Sequence, residues 1–250
     1  MKLCAFFYNF RACATFIALT PIFIILAVPI IFLPPSWRYA SRWYYGVGHY
    51  CSRIFLRAAG ISFHLEGKEK LDALTTTPAV IVINHQSCLD AFIVEMLLGC
   101  QPRIAFSNDY SRAPLLGTIL RRMHVIVGRS SVRSSNAALD KAIDLAKTHG
   151  NHVVIFPEGT RHADGHVHKF YRGFTVLAEQ LNRPVVPIFC HGMHKIMPKG
   201  SSCMKQRKEP VFIRVGDQFV FDPATQTREE FLEKVHNWFI LEAGRVNQNQ

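Results

Sequence analysis

Acidic side chains are scarce in this chain: 18 Asp and Glu stand against 29 Lys and Arg, a formal charge of +11. That imbalance favours an anionic partner, either a nucleic acid or an anionic membrane surface. No recognised RNA-binding motif is present, which removes the first. The 7 cysteines, Cys4, Cys13, Cys51, Cys88, Cys100, Cys190 and Cys203, lack paired short spacings and are odd in number. A disulfide framework is therefore not expected, and reduced thiols fit a cytoplasmic face. No internal repeat is evident, which excludes a repeat array.

Charge of either sign is missing from Ala12 to Leu33, a run of 22 residues, and the next charged residue is Arg38. Such a run is long enough to cross a hydrocarbon core of about 30 Å. It exceeds the apolar region of a signal peptide, about 7–15 residues, and no A-x-A site follows, which speaks against a cleaved leader. Pro21 and Pro29 leave a span and a re-entrant hairpin both open. Lys2 and Arg11 precede the run, whereas Arg38, Arg42, Arg53 and Arg57 follow it, a bias that puts the rest of the chain on the cytoplasmic side. A bacterial inner membrane is preferred to the endoplasmic reticulum because the chain is compact. Trp37, Tyr39, Trp43, Tyr44, Tyr45 and Tyr50 lie among those arginines, a composition suited to the headgroup zone. Residues 37–59 are therefore expected to form an interfacial helix, with an aromatic helix packed on the domain as the alternative.

What remains is enough for one α/β core. Short apolar runs predict strands at 61–65, 79–83, 103–106, 124–127, 152–156, 185–189 and 211–215. Helices are expected between most of them, notably at 134–149 and 173–182, and a last one at 228–245 capped by Thr227. The alternation predicts a largely parallel central sheet flanked by helices. The division is 1–59 as membrane anchor and interfacial helix and 60–250 as one domain, with its motif-bearing core at 60–200 and a closing strand and helix at 201–246. The last four residues are read as an unstructured tail.

Two strand ends carry chemistry. The run Ala79–Ile83 leads into Asn84-His85-Gln86-Ser87-Cys88-Leu89-Asp90. A histidine in a strand-to-helix turn can take a proton from a hydroxyl, and a carboxylate holding its other ring nitrogen fixes the tautomer. Ser87 as N-cap with Asp90 three residues on is also a capping-box pattern, so Asp90 taken alone reads equally well as a helix cap. A second run, Val153-Val154-Ile155-Phe156, ends in Pro157-Glu158-Gly159-Thr160-Arg161. Glu158 offers an acceptor and Arg161 a cationic fork suited to phosphate, against the plainer reading of a turn with a surface ion pair. Cys88 raises the possibility of a thiol nucleophile beside His85, although cysteine is more often a small buried hydrophobe. His162, His166, His168, His191 and His194 cluster later in the chain; with a turn inside the His162–His166 interval, loop histidines near an anionic site are preferred to metal ligands. The basic stretch from Lys195 to Lys208 reads as a surface loop, either a headgroup or acyl-carrier contact or simply solvated.

An NHxxxxD block followed roughly seventy residues later by FPEGTR resembles the 1-acyl-sn-glycerol-3-phosphate acyltransferase (PlsC-like glycerolipid acyltransferase) family. Val127-Gly128-Arg129 and Val185-Val186-Pro187-Ile188 match two weaker blocks, and the resemblance covers roughly residues 60 to 200. It implies that His85 is the general base, oriented by Asp90, for attack of a lysophospholipid hydroxyl on an acyl thioester with no acyl-enzyme. It further implies that Arg129, Glu158, Gly159, Thr160 and Arg161 bind the glycerol phosphate. The product would be phosphatidic acid, with acyl-CoA or acyl carrier protein as co-substrate, a phospholipid membrane as partner, and no cofactor, metal or nucleic acid. Ser107 stands where relatives carry a lysine, which motivates another lysolipid acceptor such as lyso-ornithine lipid; Arg103 or Arg112 would compensate. A non-catalytic basic membrane-binding protein is the remaining alternative.

Overall fold

The computed structural model describes residues 2–100, 103–107, 115–126, 132–201, 203–205 and 210–248. Its helices are α1 (Lys2–Ala27), α2 (Pro35–Tyr39), α3 (Arg42–Ala58), α4 (Asp90–Leu98), α5 (Leu116–Met123), α6 (Val132–His149), α7 (Gly173–Leu181), α8 (Met193–Ile196) and α9 (Arg228–Gln248). Its strands are β1 (Phe63–Glu66), β2 (Val80–Ile83), β3 (Arg103–Ser107), β4 (Val125–Ile126), β5 (His152–Ile155), β6 (Val185–His191) and β7 (Val211–Val215). They form one sheet in the order β1-β7-β6-β2-β5-β3-β4. The five strands from β6 to β4 are mutually parallel, while β7 runs antiparallel to β6 and carries β1 parallel to itself. The sheet is thus largely parallel, as the alternation of runs predicts.

The apolar run of β2 is continuous because both faces of its sheet are covered. Ile81 and Ile83 point into a core shared with Phe55 and Leu56 of α3 and Ile93, Val94 and Leu98 of α4. Val80 and Val82, one residue out of phase, point into a second core with Ala142 and Ala146 of α6, Phe174 and Leu177 of α7, and Phe231, Val235 and Phe239 of α9. The predicted cap of α9 is present as a reciprocal pair: Glu230 N–H donates to Thr227 Oγ1 (3.2 Å) and Thr227 N–H to Glu230 Oε2 (2.7 Å). That helix continues to Gln248, so the first two of the four residues read as a tail extend it, and the last two lie outside the described residues.

Two local readings are corrected. The expected interfacial helix is two helices, α2 and α3, separated at Ala40–Ser41, where Ser41 Oγ accepts from Tyr44 N–H (3.4 Å). Of its aromatic residues only Trp37, Trp43 and Tyr50 are exposed; Tyr39, Tyr44 and Tyr45 are buried. Tyr39 stacks on His149, Tyr44 OH bonds His124 Nε2 (3.2 Å), and Tyr45 OH donates to the Arg103 carbonyl (2.8 Å). Buried hydroxyls need partners, and those of Tyr44 and Tyr45 find them on the domain rather than at a headgroup. The second correction concerns Ser87, which is not the N-cap of α4: the helix begins at Asp90 after Leu89, with no side-chain cap. Ser87 Oγ instead donates to the Met197 carbonyl (2.7 Å).

The apolar stretch Asn9–Phe32 has mean hydropathy 2.6 and is 17% buried. Asn9 nevertheless pairs both its amide groups with the backbone of Met204 (2.7 Å each), and Arg122 of α5 donates to the Ile31 carbonyl (3.0 Å). Both ends of the stretch are therefore tied to the sheet domain.

Candidate active site

Register decides which polar residues meet. In the sheet Val82 lies beside Ile155 of β5 and Pro187 of β6, so the first residues beyond the three strands emerge together at their carboxyl ends. Parallel α/β sheets place ligands at this edge. Asn84 ties β2 to β6: its Nδ2 donates to the Cys190 carbonyl (2.9 Å) and its Oδ1 accepts from Cys190 N–H (2.8 Å). His85 follows on a turn held by that pair.

His85 Nδ1 lies 2.8 Å from Asp90 Oδ2, which also accepts the backbone N–H groups of Gln86 (2.7 Å) and Ser87 (2.9 Å). The side chain of Asp90 is 1% exposed and that of His85 20%. Three donors converge on one carboxylate oxygen, so Nδ1 bears the proton and Nε2 keeps its lone pair for a substrate. The imidazole stacks on Phe156, with ring centroids 4.1 Å apart. Phe156 belongs to the FPEGTR block, so that block supplies one wall against the His85 imidazole. Asp90 therefore orients His85 from the first residue of α4, which decides between the two readings its position allowed.

The same block reaches the base a second time. Glu158 Oε1 accepts from His85 N–H (3.3 Å), and Glu158 Oε2 lies 3.8 Å from His162 Nε2. Burial pushes the Glu158 carboxyl up to about 8, reinforced by the charges of Asp90 and Asp164 and opposed by the His85 N–H bond. His162 is lowered, chiefly by desolvation and then by neighbouring His168, so both shifts disfavour an ion pair between the two. His162 N–H bonds the His85 carbonyl (3.0 Å), closing the base between two strand-end turns. Gly159 adopts φ +66°, a conformation that favours glycine, and a Cβ there would approach Tyr171 to 3.2 Å. Thr160 Oγ1 accepts from Lys199 Nζ (3.0 Å), and Arg161 is half-buried beside it. Arg129, with Val127, Gly128 and Arg112, lies outside the described residues.

Other candidates separate cleanly. Cys88 Sγ lies 3.7 Å from Met197 Sδ, a contact that turns it toward α8 rather than toward the base. Among the described residues no group of three or more His, Cys, Asp or Glu is arranged to hold a metal ion. His162 and His168 stack with centroids 3.5 Å apart, and His168 Nε2 bonds Asp164 Oδ2 (2.8 Å). His194 Nδ1 and Gly192 N–H each lie 3.1 Å from Gln86 Oε1. Arg103 cannot compensate for Ser107 at the site: it is fully buried, paired with Glu95, and packed over the Tyr45 ring at 4.9 Å. The supporting roles of Asn84 and Gln86 depend on which strand neighbours β2, and no spacing in the sequence reports that.

An apolar cavity of about 210 Å³ opens between α1, α3, α4 and α5, lined by Phe16, Phe23, Phe55, Phe92, Leu116 and Leu120 among others. Ala91 and Phe92 on its wall follow Asp90 directly in the first turn of α4. His124 at its edge is driven down to about 3 by desolvation and, secondarily, by Arg103, so it lines the cavity uncharged.

Known proteins share this fold and sequence pattern. The Thermotoga maritima 1-acyl-sn-glycerophosphate (LPA) acyltransferase, PlsC, has the same fold, with a TM-score of 0.74, 20% identity and coverage of 96% of each chain. Curated 1-acyl-sn-glycerol-3-phosphate acyltransferases are similar in sequence. That of Limnanthes alba is 26% identical over 77% of this chain and 67% of its own. Chloroplastic LPAT1 of Arabidopsis thaliana is 34% identical over 61% and 43%, and the Pseudomonas aeruginosa protein 30% identical over 67% and 65%. The Acyltransferase family model matches residues 62–191, a span that carries both strand-end turns and more than half of the chain, and the chain belongs to that family.

Proposed function

We propose that the protein transfers a fatty acyl group from an acyl thioester, acyl-CoA or acyl-acyl carrier protein, to the free hydroxyl of lysophosphatidic acid, forming phosphatidic acid. The observation that carries this reading is the buried Asp90 carboxylate holding His85 Nδ1 at 2.8 Å, with Nε2 left available beside the Glu158–Arg161 turn. His85 Nε2 takes the hydroxyl proton as the lysolipid oxygen attacks the thioester carbonyl. The tetrahedral intermediate expels the thiolate, which recovers the proton from His85, so the enzyme returns unchanged and needs no cofactor or metal. Glu158, Thr160, Arg161 and Arg129 bind the glycerol phosphate in this reading, and the apolar cavity beyond Asp90 receives the acyl chain.

The setting is a membrane surface. Phe10, Phe16, Ile17, Ile22, Ile25 and Phe32 are exposed along the first 32 residues, and Trp37, Trp43 and Ile54 extend the apolar surface onto α2 and α3. Because both ends of the N-terminal stretch are tied to the sheet domain, we read it as embedded in one leaflet beside the domain, with the basic body on the cytoplasmic face. Residues 1–59 would then be the anchoring part and 60–250 the acyltransferase domain.

The test incubates purified protein with labelled acyl-CoA and acyl carrier protein donors and a panel of lysolipids, alongside His85→Ala. Product on lysophosphatidic acid that disappears in the variant supports the reading. Product on a different lysolipid favours the second reading, which Ser107 motivates, and no product on any lysolipid from folded protein rejects both.

A further inference from the structure

The segment between α8 and β7 is pinned at three points beside the two strand-end turns. Ser87 Oγ holds the Met197 carbonyl (2.7 Å), Lys205 N–H bonds the Ile196 carbonyl (2.7 Å), and Asn9 clasps Met204. Between these points the chain makes a tight turn from Pro198 to Ser201, closed by Ser201 N–H on the Pro198 carbonyl (3.0 Å), with Gly200 at φ +85°. Lys199 occupies the leading corner of that turn. Its exposed side chain comes back across the site, and Nζ donates to Thr160 Oγ1 at 3.0 Å.

We propose that Lys199 is a specificity-determining residue that binds the phosphate monoester of the acyl acceptor. This rests on the acyl-transfer reading above. An ammonium group carries three donors, and the Thr160 bond uses one, leaving two for phosphate oxygens. Thr160 precedes Arg161 in the second turn, so the hydroxyl that seats Lys199 brings its charge to the turn that carries a second cationic residue. Among the described residues Lys199 forms no ion pair with a carboxylate, so its charge is not already neutralised. Its charge is felt at His162, whose backbone N–H touches the His85 carbonyl. Through Thr160 the cation is seated on the turn whose Glu158 and His162 bond the His85 backbone, and its own turn is fastened to the first block through Ser87. An acceptor whose hydroxyl sits at His85 has its phosphate a few bonds away.

The experiment measures steady-state kinetics of the full chain, wild type and Lys199→Ala, with lysophosphatidic acid and with uncharged 1-acylglycerol as acceptors. Loss of one charge-assisted contact is expected to raise KM for lysophosphatidic acid about ten-fold or more, with a smaller change in kcat and no change in KM for the acyl donor. The preference for lysophosphatidic acid over 1-acylglycerol narrows by a similar factor, glycerol 3-phosphate inhibits the variant more weakly, and Lys199→Arg recovers most of the affinity. An unchanged KM in the variant, as for a merely solvated lysine, overturns the assignment and leaves the acyl-transfer reading standing. A rise confined to the KM for acyl-CoA also overturns it, by moving the contact to the donor's phosphates. A wild type that acylates only lysolipids without phosphate overturns both.

Discussion

Asp90 Oδ2 gathers three hydrogen bonds at 1% side-chain exposure, and that concentration of donors on one atom is what turns a helix-start aspartate into the partner of the His85 imidazole. Replacing His85 with Ala removes the proton acceptor and is expected to lower kcat by about 10²–10⁴-fold with the fold intact, as product formation and circular dichroism would show together. Cys88→Ala is expected to retain near-normal transfer, because the thiol faces Met197; complete loss in a folded variant would reinstate the thiol. Glu158 predicts a pH dependence. Its carboxyl is raised from 4.5 to about 8, so the folded state holds that proton more tightly than the unfolded state does. Stability from this group is fully present below 4.5 and is lost as pH rises to about 8, an effect on the order of a few kcal/mol. Glu158→Gln keeps an oxygen for His85 N–H, so its Tm should fall less than that of wild type across the interval. Parallel Tm curves would show that Glu158 ionises normally.

At the scale of elements, the loops after β2, β5 and β6 are only as well placed as the strands that deliver them. Asn84 is the side chain that ties two of these ends together, and both its bonds are buried. Asn84→Ala leaves the Cys190 N–H and carbonyl without those partners and is expected to cost about 1–3 kcal/mol, read as a lower denaturant midpoint with an unchanged m-value. Unchanged stability would mean that β6 is positioned without it. The central strands β2 and β6 are legible as continuous apolar runs because the sheet there is covered on both faces, whereas β7 alternates between buried and half-buried positions. The N-cap of α4 was not legible. A Ser-x-x-Asp pattern satisfies a helix start in isolation, but here Ser87 is drawn away by Met197, more than a hundred residues on, and Asp90 by the base. The buried tyrosines of α3 were misread for the same reason: their partners, His124 and the Arg103 carbonyl, are distant in sequence.

For the whole molecule, a charge of +11 and an exposed apolar N-terminal surface are the two features that would favour an anionic bilayer in the proposed reading. Ile17 and Ile25 are 71% and 69% exposed on α1, so replacing both with Glu should leave the fold intact. Partitioning into anionic vesicles should fall about ten-fold or more, because each isoleucine forfeits about 1.5–3 kcal/mol of burial in lipid. Flotation assays would read this directly, and undiminished association would rule out α1 as the contact. The sequence by itself determined the strands found among the described residues, the largely parallel class, the apolar N-terminal segment and the two motif turns, since each is written in consecutive residues whose periodicity or chemistry is local. Only the tertiary structure decided that Asp90 grips His85, that Phe156 and Glu158 flank that base, that Arg103 is committed to the core, and that Lys199 reaches Thr160. Those outcomes depend on strand order and register, which set contacts between residues far apart in the chain and leave no local trace.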